Sequence, residues 1–197
     1  MNTRGLLIVI SGPSGAGKGT LFNLMKKYFP DTYYSISATT RSPRQGERDG
    51  VDYFFMSREE FLELRDTDGF LEWAEVYGNY YGTPRSKVEE SIAQGRDVIL
   101  EIDIQGALHV KKQHPQGVFV FIVPPSIQEL RRRIESRGQN SPEDMLKRLE
   151  SAQAELAYVS EYDYVVINDE IEAATTKLKS IIIAEKCRPQ RKIIKFE

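Results

Sequence analysis

Short apolar runs alternate with longer amphipathic stretches along most of the chain. Four runs are apolar at nearly every position: residues 6–10 (LLIVI), 97–104 (DVILEIDI), 118–123 (VFVFIV) and 163–168 (DYVVIN). A continuous apolar run, unlike an alternating one, is typical of a strand that is buried on both faces. A weaker run at 32–37 (TYYSIS) predicts a fifth strand.

Helix starts between these runs are indicated by serine residues. The capping-box spacing, in which Ser is followed three residues later by Glu, occurs at Ser57–Glu60, Ser86–Glu89 and Ser126–Glu129. Ser141 precedes a proline that suits a first helical position. From Ile171 to Ile182 the apolar residues keep the spacing of a helix that packs on a core. The alternation of strand and helix predicts an α/β fold with a parallel sheet and right-handed crossovers.

Two segments interrupt this alternation. Residues 38–85 are rich in Gly, Pro, Arg and Tyr and are too long for one crossover, and residues 127–158 comprise a basic helix, a turn and a second helix. Open α/β sheets bind their ligands beyond the carboxyl ends of the strands. We therefore expect both segments to be insertions at that edge of the sheet.

The length and composition argue against a nucleic-acid-binding, a membrane-spanning and a secreted protein. The 197 residues suit one domain, and 27 basic against 29 acidic residues give a net charge of −2, which argues against a nucleic-acid partner. No apolar run approaches the ~20 residues of a membrane span, and the apolar part of the N-terminus is short for a secretory signal. The single cysteine, Cys187, fits a reducing compartment. We expect a cytoplasmic protein without a membrane partner, and the composition leaves a homo-oligomer open.

The segment GPSGAGKGT, residues 12–20, directly follows the first apolar run. Its glycines and Lys18 match the G-x-x-x-x-G-K part of the P-loop, between a predicted strand and a predicted helix. Such a loop turns backbone N–H groups and a helix N-terminus toward phosphates. The P-loop pattern continues with a Ser or Thr that binds Mg²⁺, whereas here Gly19 stands at that position and Thr20 follows. We interpret Thr20 as a phosphate contact and expect phosphate oxygens and water to hold Mg²⁺.

A second candidate site lies in the first insertion. Arg41 and Arg44 are three residues apart in a loop that contains proline, and Tyr53 follows. Two guanidinium groups and a phenol can clamp a phosphate dianion. The stretch EWAEVYGNYYGT then adds the polar side chains of Glu72 and Thr83.

These motifs together resemble the guanylate kinase family. The matching stretches are GPSGxGK, TTRxPRxGE, FLEWA and GNYYG, followed by EIDIQGA, RRRIESRGQNS and AQAELAY over nearly the whole chain. The resemblance implies a P-loop kinase that transfers the γ-phosphoryl group of ATP to GMP in the presence of Mg²⁺, in purine nucleotide metabolism. It divides the chain into a core (1–37, 96–126 and 159–197), a GMP-binding insertion (38–95) and a lid (127–158).

The resemblance also implies a role for individual residues. The GMP site is expected to contain Ser37, Arg41, Arg44, Tyr53, Glu72, Tyr81, Thr83, Glu101 and Asp103. The ATP site is expected to contain Gly12, Pro13, Ser14, Gly15, Ala16, Gly17, Lys18, Gly19, Thr20 and, next to adenine, Asn168. The catalytic residues are expected to be Lys18, Arg41, Arg133, Arg137 and Arg148, the last three in the lid.

The chemistry of guanine supports the part of this assignment that concerns Glu72. A carboxylate can accept both N1–H and N2–H₂ of guanine, whereas adenine offers no such pair of donors. Ser37 suits guanine O6, and Asp103 suits either the donor edge of guanine or a water on the metal. Glu101 either contacts GMP or pairs with an arginine, and the sequence leaves both open.

Two other functions also stay open. Another small kinase would phosphorylate AMP, a pyrimidine nucleotide or a ribose bisphosphate, and the guanine-specific set of residues argues against it. A catalytically silent binding module would use the same groove for phosphorylated peptides. The intact Gly17 and Lys18 favour an enzyme.

Overall fold

The computed structural model describes residues 5–76, 78–135 and 142–191, with the helical backbone alone at 142–148. Its central sheet contains five strands, which are β1 (Leu7–Ser11), β2 (Tyr33–Tyr34), β7 (Val98–Glu101), β8 (Val118–Val123) and β9 (Tyr164–Ile167). They lie in the order β2-β7-β1-β8-β9, and every pairing is parallel. The predicted parallel sheet is confirmed. The prediction for 97–104 was too long, because β7 ends at Glu101 and a helix begins at Ile104.

Both faces of this sheet are covered by helices. The four that cover it are α1 (Lys18–Tyr28), α3 (Arg85–Ala93), α4 (Ile104–Gln113) and α7 (Ile171–Lys186). Ile8 and its neighbours on one face pack against α1 and α7, and Val9 and its neighbours on the other pack against α3 and α4. Because successive strand residues point to opposite faces, coverage of both faces explains why the runs are apolar at every position.

A second, smaller sheet is formed by the first insertion. Its strands are β3 (Ala38–Thr39), β4 (Phe54–Phe55), β5 (Phe70–Val76) and β6 (Asn79–Pro84), in the order β4-β3-β6-β5, and α2 (Arg58–Asp66) follows β4 in the chain. Phe61 of α2 stacks on Phe70 and Tyr80 in a separate small core. Trp73 lies on β5 with 44% of its surface exposed, and the Arg65 guanidinium lies 5.4 Å from its ring centroid.

The remaining helices follow β8. They are α5 (Ile127–Glu135) and α6 (Pro142–Leu156), and 3-10 turns occur at Ala157–Glu161 and Pro189–Arg191. Leu130 and Ile134 of α5 pack against Ala152 of α6. No helix within the described ranges combines the length and the apolar character needed to cross a membrane.

The predicted helix starts have different outcomes. Ser57 forms the full capping box with Glu60, as predicted. Ser126 Oγ accepts the Glu129 N–H at 3.1 Å, but the Glu129 carboxylate bonds to arginines instead of closing a box. The prediction that Ser86 caps a helix was wrong, because α3 already begins at Arg85 and Ser86 lies inside it. No side chain caps this helix. Helix α6 begins at Pro142, and Ser141 lies outside the described residues.

Candidate active site

The glycine loop connects β1 to α1 at the carboxyl edge of the central sheet. Gly12 has a φ of 140°, and a Cβ there would lie 2.1 Å from the Ile122 carbonyl oxygen of β8. The Ala16 N–H donates to the Pro13 carbonyl at 3.1 Å, which closes a tight turn. Only glycine can occupy position 12, because both the backbone angle and the neighbouring strand exclude a side chain. The loop is therefore wrapped closely against the end of the sheet.

Lys18 begins α1 and folds back over the loop. Its Nζ donates to the carbonyl oxygens of Gly12 at 2.6 Å and Pro13 at 3.0 Å. The ammonium therefore lies beside the loop at the N-terminus of α1, where the helix dipole also favours an anion. Thr20, two residues further along the helix, is exposed.

Glu101 occupies the space next to position 19. Both of its carboxylate oxygens lie 3.6 Å from the point where a Cβ on Gly19 would be. Strand pairing fixes this arrangement, because Glu101 at the end of β7 is in register with Ile10 of β1. In the usual P-loop pattern, residue 19 would carry a hydroxyl group. Here Gly19 carries no side chain, and the Glu101 carboxylate lies next to that position.

Asn168 and Arg133 contact the loop from the outside. Asn168 follows β9, is 5% exposed and donates from Nδ2 to the Ala16 carbonyl at 2.8 Å. Arg133 of α5 donates to the backbone carbonyl of Asn168 at 2.9 Å and to Glu129 Oε1 at 2.8 Å. Of the other two predicted lid arginines, Arg137 lies outside the described residues. Arg148 belongs to α6, with its side chain outside the description.

A buried carboxylate lies where the second sheet packs against α4. Glu72 on β5 is 3% exposed, and its Oε1 accepts the Thr83 hydroxyl of β6 at 2.6 Å. Asp103 caps α4 by accepting the Gly106 N–H at 2.9 Å, and a Cβ on Gly106 would lie 2.3 Å from Glu72 Oε2. Burial raises the pKa of Glu72 to about 7, with a smaller contribution from the charge of Asp103. The structure thus brings together Glu72, Thr83 and Asp103, three of the residues expected in the GMP site.

A basic and aromatic cluster lies on the same insertion. The Arg41 guanidinium donates two hydrogen bonds to Glu47, at 2.9 and 3.0 Å, and its Cζ lies 5.3 Å from the Tyr53 ring centroid. The ring of Tyr53 lies edge-on to that of Tyr81, 6.1 Å away. Burial and the nearby charge of Glu101 raise the pKa of the Tyr53 phenol. The structure therefore brings Arg41, Tyr53 and Tyr81 together, and the charge of Glu101 acts on Tyr53.

The remaining predicted GMP residues lie at the margins of this cluster. Ser37 is half-buried just before β3, and its carbonyl accepts the Phe54 N–H at 2.9 Å. Arg44 is exposed, and its backbone N–H donates to Glu47 Oε2 at 2.7 Å. The side chain of Arg44 is not part of the buried arrangement around Arg41.

Three glutamates of this region were not predicted from the sequence. Glu47 holds Arg41, Glu129 holds Arg132 and Arg133, and Glu155 of α6 accepts the Ser151 hydroxyl at 3.1 Å. Hydrogen bonds from the two arginines lower the pKa of Glu129 to about 2. Burial raises the pKa of Glu155. The spacing of four residues between Glu129 and Arg133 is a helical ion-pair signal that could have identified Glu129 from the sequence.

Comparison with known proteins gives one family over nearly the whole chain. The family model described as guanylate kinase matches residues 4–185. A guanylate kinase of Desulfitobacterium hafniense is 61% identical over 98% of this chain and 96% of its own length. A guanylate kinase of Caldanaerobacter subterraneus is 58% identical over 95% of this chain and 91% of its own length. A crystal structure of guanylate kinase from Anaplasma phagocytophilum superposes with a TM-score of 0.81 at 35% identity, covering 97% of this chain and 91% of that one. Shikimate kinase from Bacteroides thetaiotaomicron, at 15% identity and a TM-score of 0.51, shares the fold over 90% of this chain and 98% of its own.

Proposed function

The chain belongs to the guanylate kinase family, and we propose that it transfers the γ-phosphoryl group of ATP to GMP, giving ADP and GDP. The observation that carries this proposal is the buried carboxylate of Glu72, which is held by Thr83 in the second sheet and packs against Gly106 of α4, just beyond the carboxyl end of β7 in the central sheet. A buried carboxylate is costly unless hydrogen-bond donors satisfy it. The N1–H and N2–H₂ groups of guanine supply two such donors.

The acceptor nucleotide is bound by the insertion, residues 38–95. Glu72 of the insertion, with Thr83 and Asp103 beside it, recognises the guanine base, and Ser37, just before the insertion, donates to guanine O6. Arg41, Arg44, Tyr53 and Tyr81 bind the phosphate of GMP, and Arg41 exchanges its bonds to Glu47 for bonds to the ligand. No side-chain base is required, because a phosphate monoester with a second pKa near ~6 is largely a dianion at neutral pH.

The donor nucleotide is bound by the glycine loop. The backbone N–H groups of residues 12–20 surround the phosphates of ATP, and Lys18 moves from the loop carbonyls to the transferred group. The lid, residues 127–158, contributes Arg133, Arg137 and Arg148, which neutralise charge as the phosphoryl group moves. Closure of the insertion and the lid excludes water, which would otherwise compete with GMP as acceptor.

The acidic residues at this edge fit a magnesium ion held mainly by substrate. The described residues contain no cluster of three or more side chains that could ligate a metal. Mg²⁺ in phosphoryl-transfer sites commonly takes one or two carboxylates together with phosphates and water. The Glu101 carboxylate next to Gly19 and the Asp103 carboxylate are suited to order its waters. When bound with ATP, Mg²⁺ neutralises charge on the β and γ phosphates.

The setting proposed for this reaction is the cytoplasm. Cys187 is an exposed free thiol, which is compatible with a reducing compartment. ATP and GMP are the proposed partners.

A coupled assay of ADP production tests the function. Each nucleoside monophosphate is supplied in turn with ATP and Mg²⁺, and the expected result is a kcat/KM for GMP about 10³-fold or more above that for AMP. Equal rates with all acceptors would contradict guanine recognition. ADP production that does not depend on GMP would contradict the proposed reaction itself.

A further inference from the structure

The side chain of Asn168 is engaged by the glycine loop. Its backbone N–H donates to the Val123 carbonyl at 2.8 Å, and its Nδ2 donates to the Ala16 carbonyl at 2.8 Å. The amide nitrogen must face Ala16, because a carbonyl oxygen can only accept. The resemblance to the family assigns Asn168 to adenine, yet this donor group is buried against the loop that surrounds the phosphates.

The bond to Ala16 fixes the direction of the next N–H. No described peptide bond is cis, so the C=O of Ala16 and the N–H of Gly17, which belong to one planar peptide, point in opposite directions. Asn168 holds the carbonyl on the outside of the loop. The Gly17 N–H is therefore directed away from Asn168, toward the concave side at the start of α1.

Contacts around this peptide hold Asn168 in place. Gly17 has a φ of 89°, and a Cβ there would lie 2.3 Å from Asn168 Nδ2. Arg133 donates to the backbone carbonyl of Asn168 at 2.9 Å and approaches the Ala16 carbonyl at 3.5 Å. The Ala16–Gly17 peptide is thus packed against Asn168 and lies within reach of a second donor.

We propose that Asn168 is a positioning residue that turns the Gly17 N–H toward the phosphates of ATP, and that its side chain does not read adenine. This inference rests on the proposed function, because it takes the glycine loop as the phosphate site. The residue acts through the main chain of the loop and touches no reacting atom.

Inorganic tripolyphosphate distinguishes this role from an adenine contact, because it has the phosphates of ATP and no base. The variants are Asn168→Asp, which replaces the donor with an acceptor, and Asn168→Ala, which removes the side chain without burying a charge. The control is Asn23→Asp, the same change at an exposed position on α1. Binding of tripolyphosphate and of ATP is measured by calorimetry, and binding of GMP reports that the fold is intact.

Loss of one oriented hydrogen bond corresponds to about a tenfold weakening. We expect both Asn168 variants to weaken tripolyphosphate and ATP by the same factor, of about tenfold, with GMP binding and the Asn23→Asp control unchanged. The Gly17 amide resonance, followed by NMR, should shift on addition of tripolyphosphate to the wild type and much less in Asn168→Ala.

Two outcomes overturn the inference, and they differ from failure of the proposed function. If ATP weakens while tripolyphosphate binds as in the wild type, Asn168 reads the base. If neither ligand is affected, Asn168 positions nothing. Failure of the wild type to bind either ligand would instead overturn the phosphate site itself, and the inference with it.

Discussion

The glycine loop and the guanine pocket recognise their ligands by different means. The loop presents main-chain N–H groups and the Lys18 ammonium, and the side chains of Asn168 and Arg133 contact it from the outside. The pocket presents side chains from β5 and β6, with Glu72 and Thr83 facing each other across an antiparallel pair. Main-chain recognition requires a backbone shape, whereas side-chain recognition requires particular chemical groups in register. Under the proposed function, the loop would therefore accept any polyphosphate, and the choice of base would belong to the pocket.

The two regions also differ in how their polar groups are satisfied without nucleotide. In the loop, the Lys18 ammonium bonds to neutral main-chain carbonyls. In the acceptor region, Arg41 is paired with a charged carboxylate, that of Glu47. If Arg41 binds GMP as proposed, the ligand would replace this carboxylate. The exchange would offset part of the binding free energy of GMP and would link its entry to a rearrangement of the loop that carries Arg41.

Lys18→Ala should have the largest effect and should separate the two regions most clearly. Loss of the ammonium that neutralises the transferred group should lower kcat by about 10³-fold or more, because its charge acts on the transition state. The affinity for GMP, measured by calorimetry, should stay the same. Unchanged turnover would contradict the assignment of the loop, and a weakened GMP site would contradict the separation of the regions.

Glu72→Gln should produce the opposite pattern. The amide keeps one acceptor and places an N–H₂ against a donor of guanine, so kcat/KM for GMP should fall by about 10²-fold. The KM for ATP should change little. Steady-state kinetics with each substrate varied in turn measure both quantities, and a GMP value close to the wild type would refute guanine recognition by this carboxylate.

Thr83→Val tests whether the orientation of Glu72 matters. The change keeps the shape of the side chain and removes the hydroxyl that donates to Glu72 Oε1. We expect kcat/KM for GMP to fall by about tenfold, the cost of one hydrogen bond to a charged group. Thr176→Val, an exposed position on α7, is the matched control. Equal behaviour of the two variants would mean that Thr83 does not orient the carboxylate.

The dependence on pH should be the smallest effect near neutrality. Burial raises the pKa of Glu72 to about 7 in the free protein, and guanine requires the ionised form. Binding of GMP therefore favours loss of the proton, and kcat/KM for GMP should rise severalfold as the pH increases from about 6.5 to about 7.5. Glu72→Gln should keep only the part due to the phosphate of GMP, whose second pKa is near ~6. An identical profile in wild type and variant would assign the whole dependence to the ligand.

The same contrast explains what could be predicted from the sequence. The glycine loop is a contiguous motif whose binding groups are main-chain, so nine adjacent letters predict its shape and position. The four strong apolar runs predict core strands, because burial on both faces leaves few alternatives. Ser57 predicts a helix start, because its partner Glu60 is local.

The features that were missed depend on contacts between distant parts of the chain. The link between Glu72 and Thr83 follows from strand pairing in the second sheet. The strand predicted to reach residue 104 ends early, because Asp103 caps α4. Ser86 has the spacing of a cap, but helix α3 has already begun at Arg85. A local pattern contains no information about these competing partners.

Trp73 makes the movement of the acceptor region visible by optical means. It is the single tryptophan of the chain, and it is half-exposed on β5 next to Glu72, where its indole also meets Tyr80 edge-on. The single cysteine, Cys187, is exposed at the end of α7 on the central core. With a dye coupled to Cys187, energy transfer from Trp73 to the dye would change when the acceptor region closes around GMP. The native sequence thus contains a donor and an attachment point for following catalysis in real time.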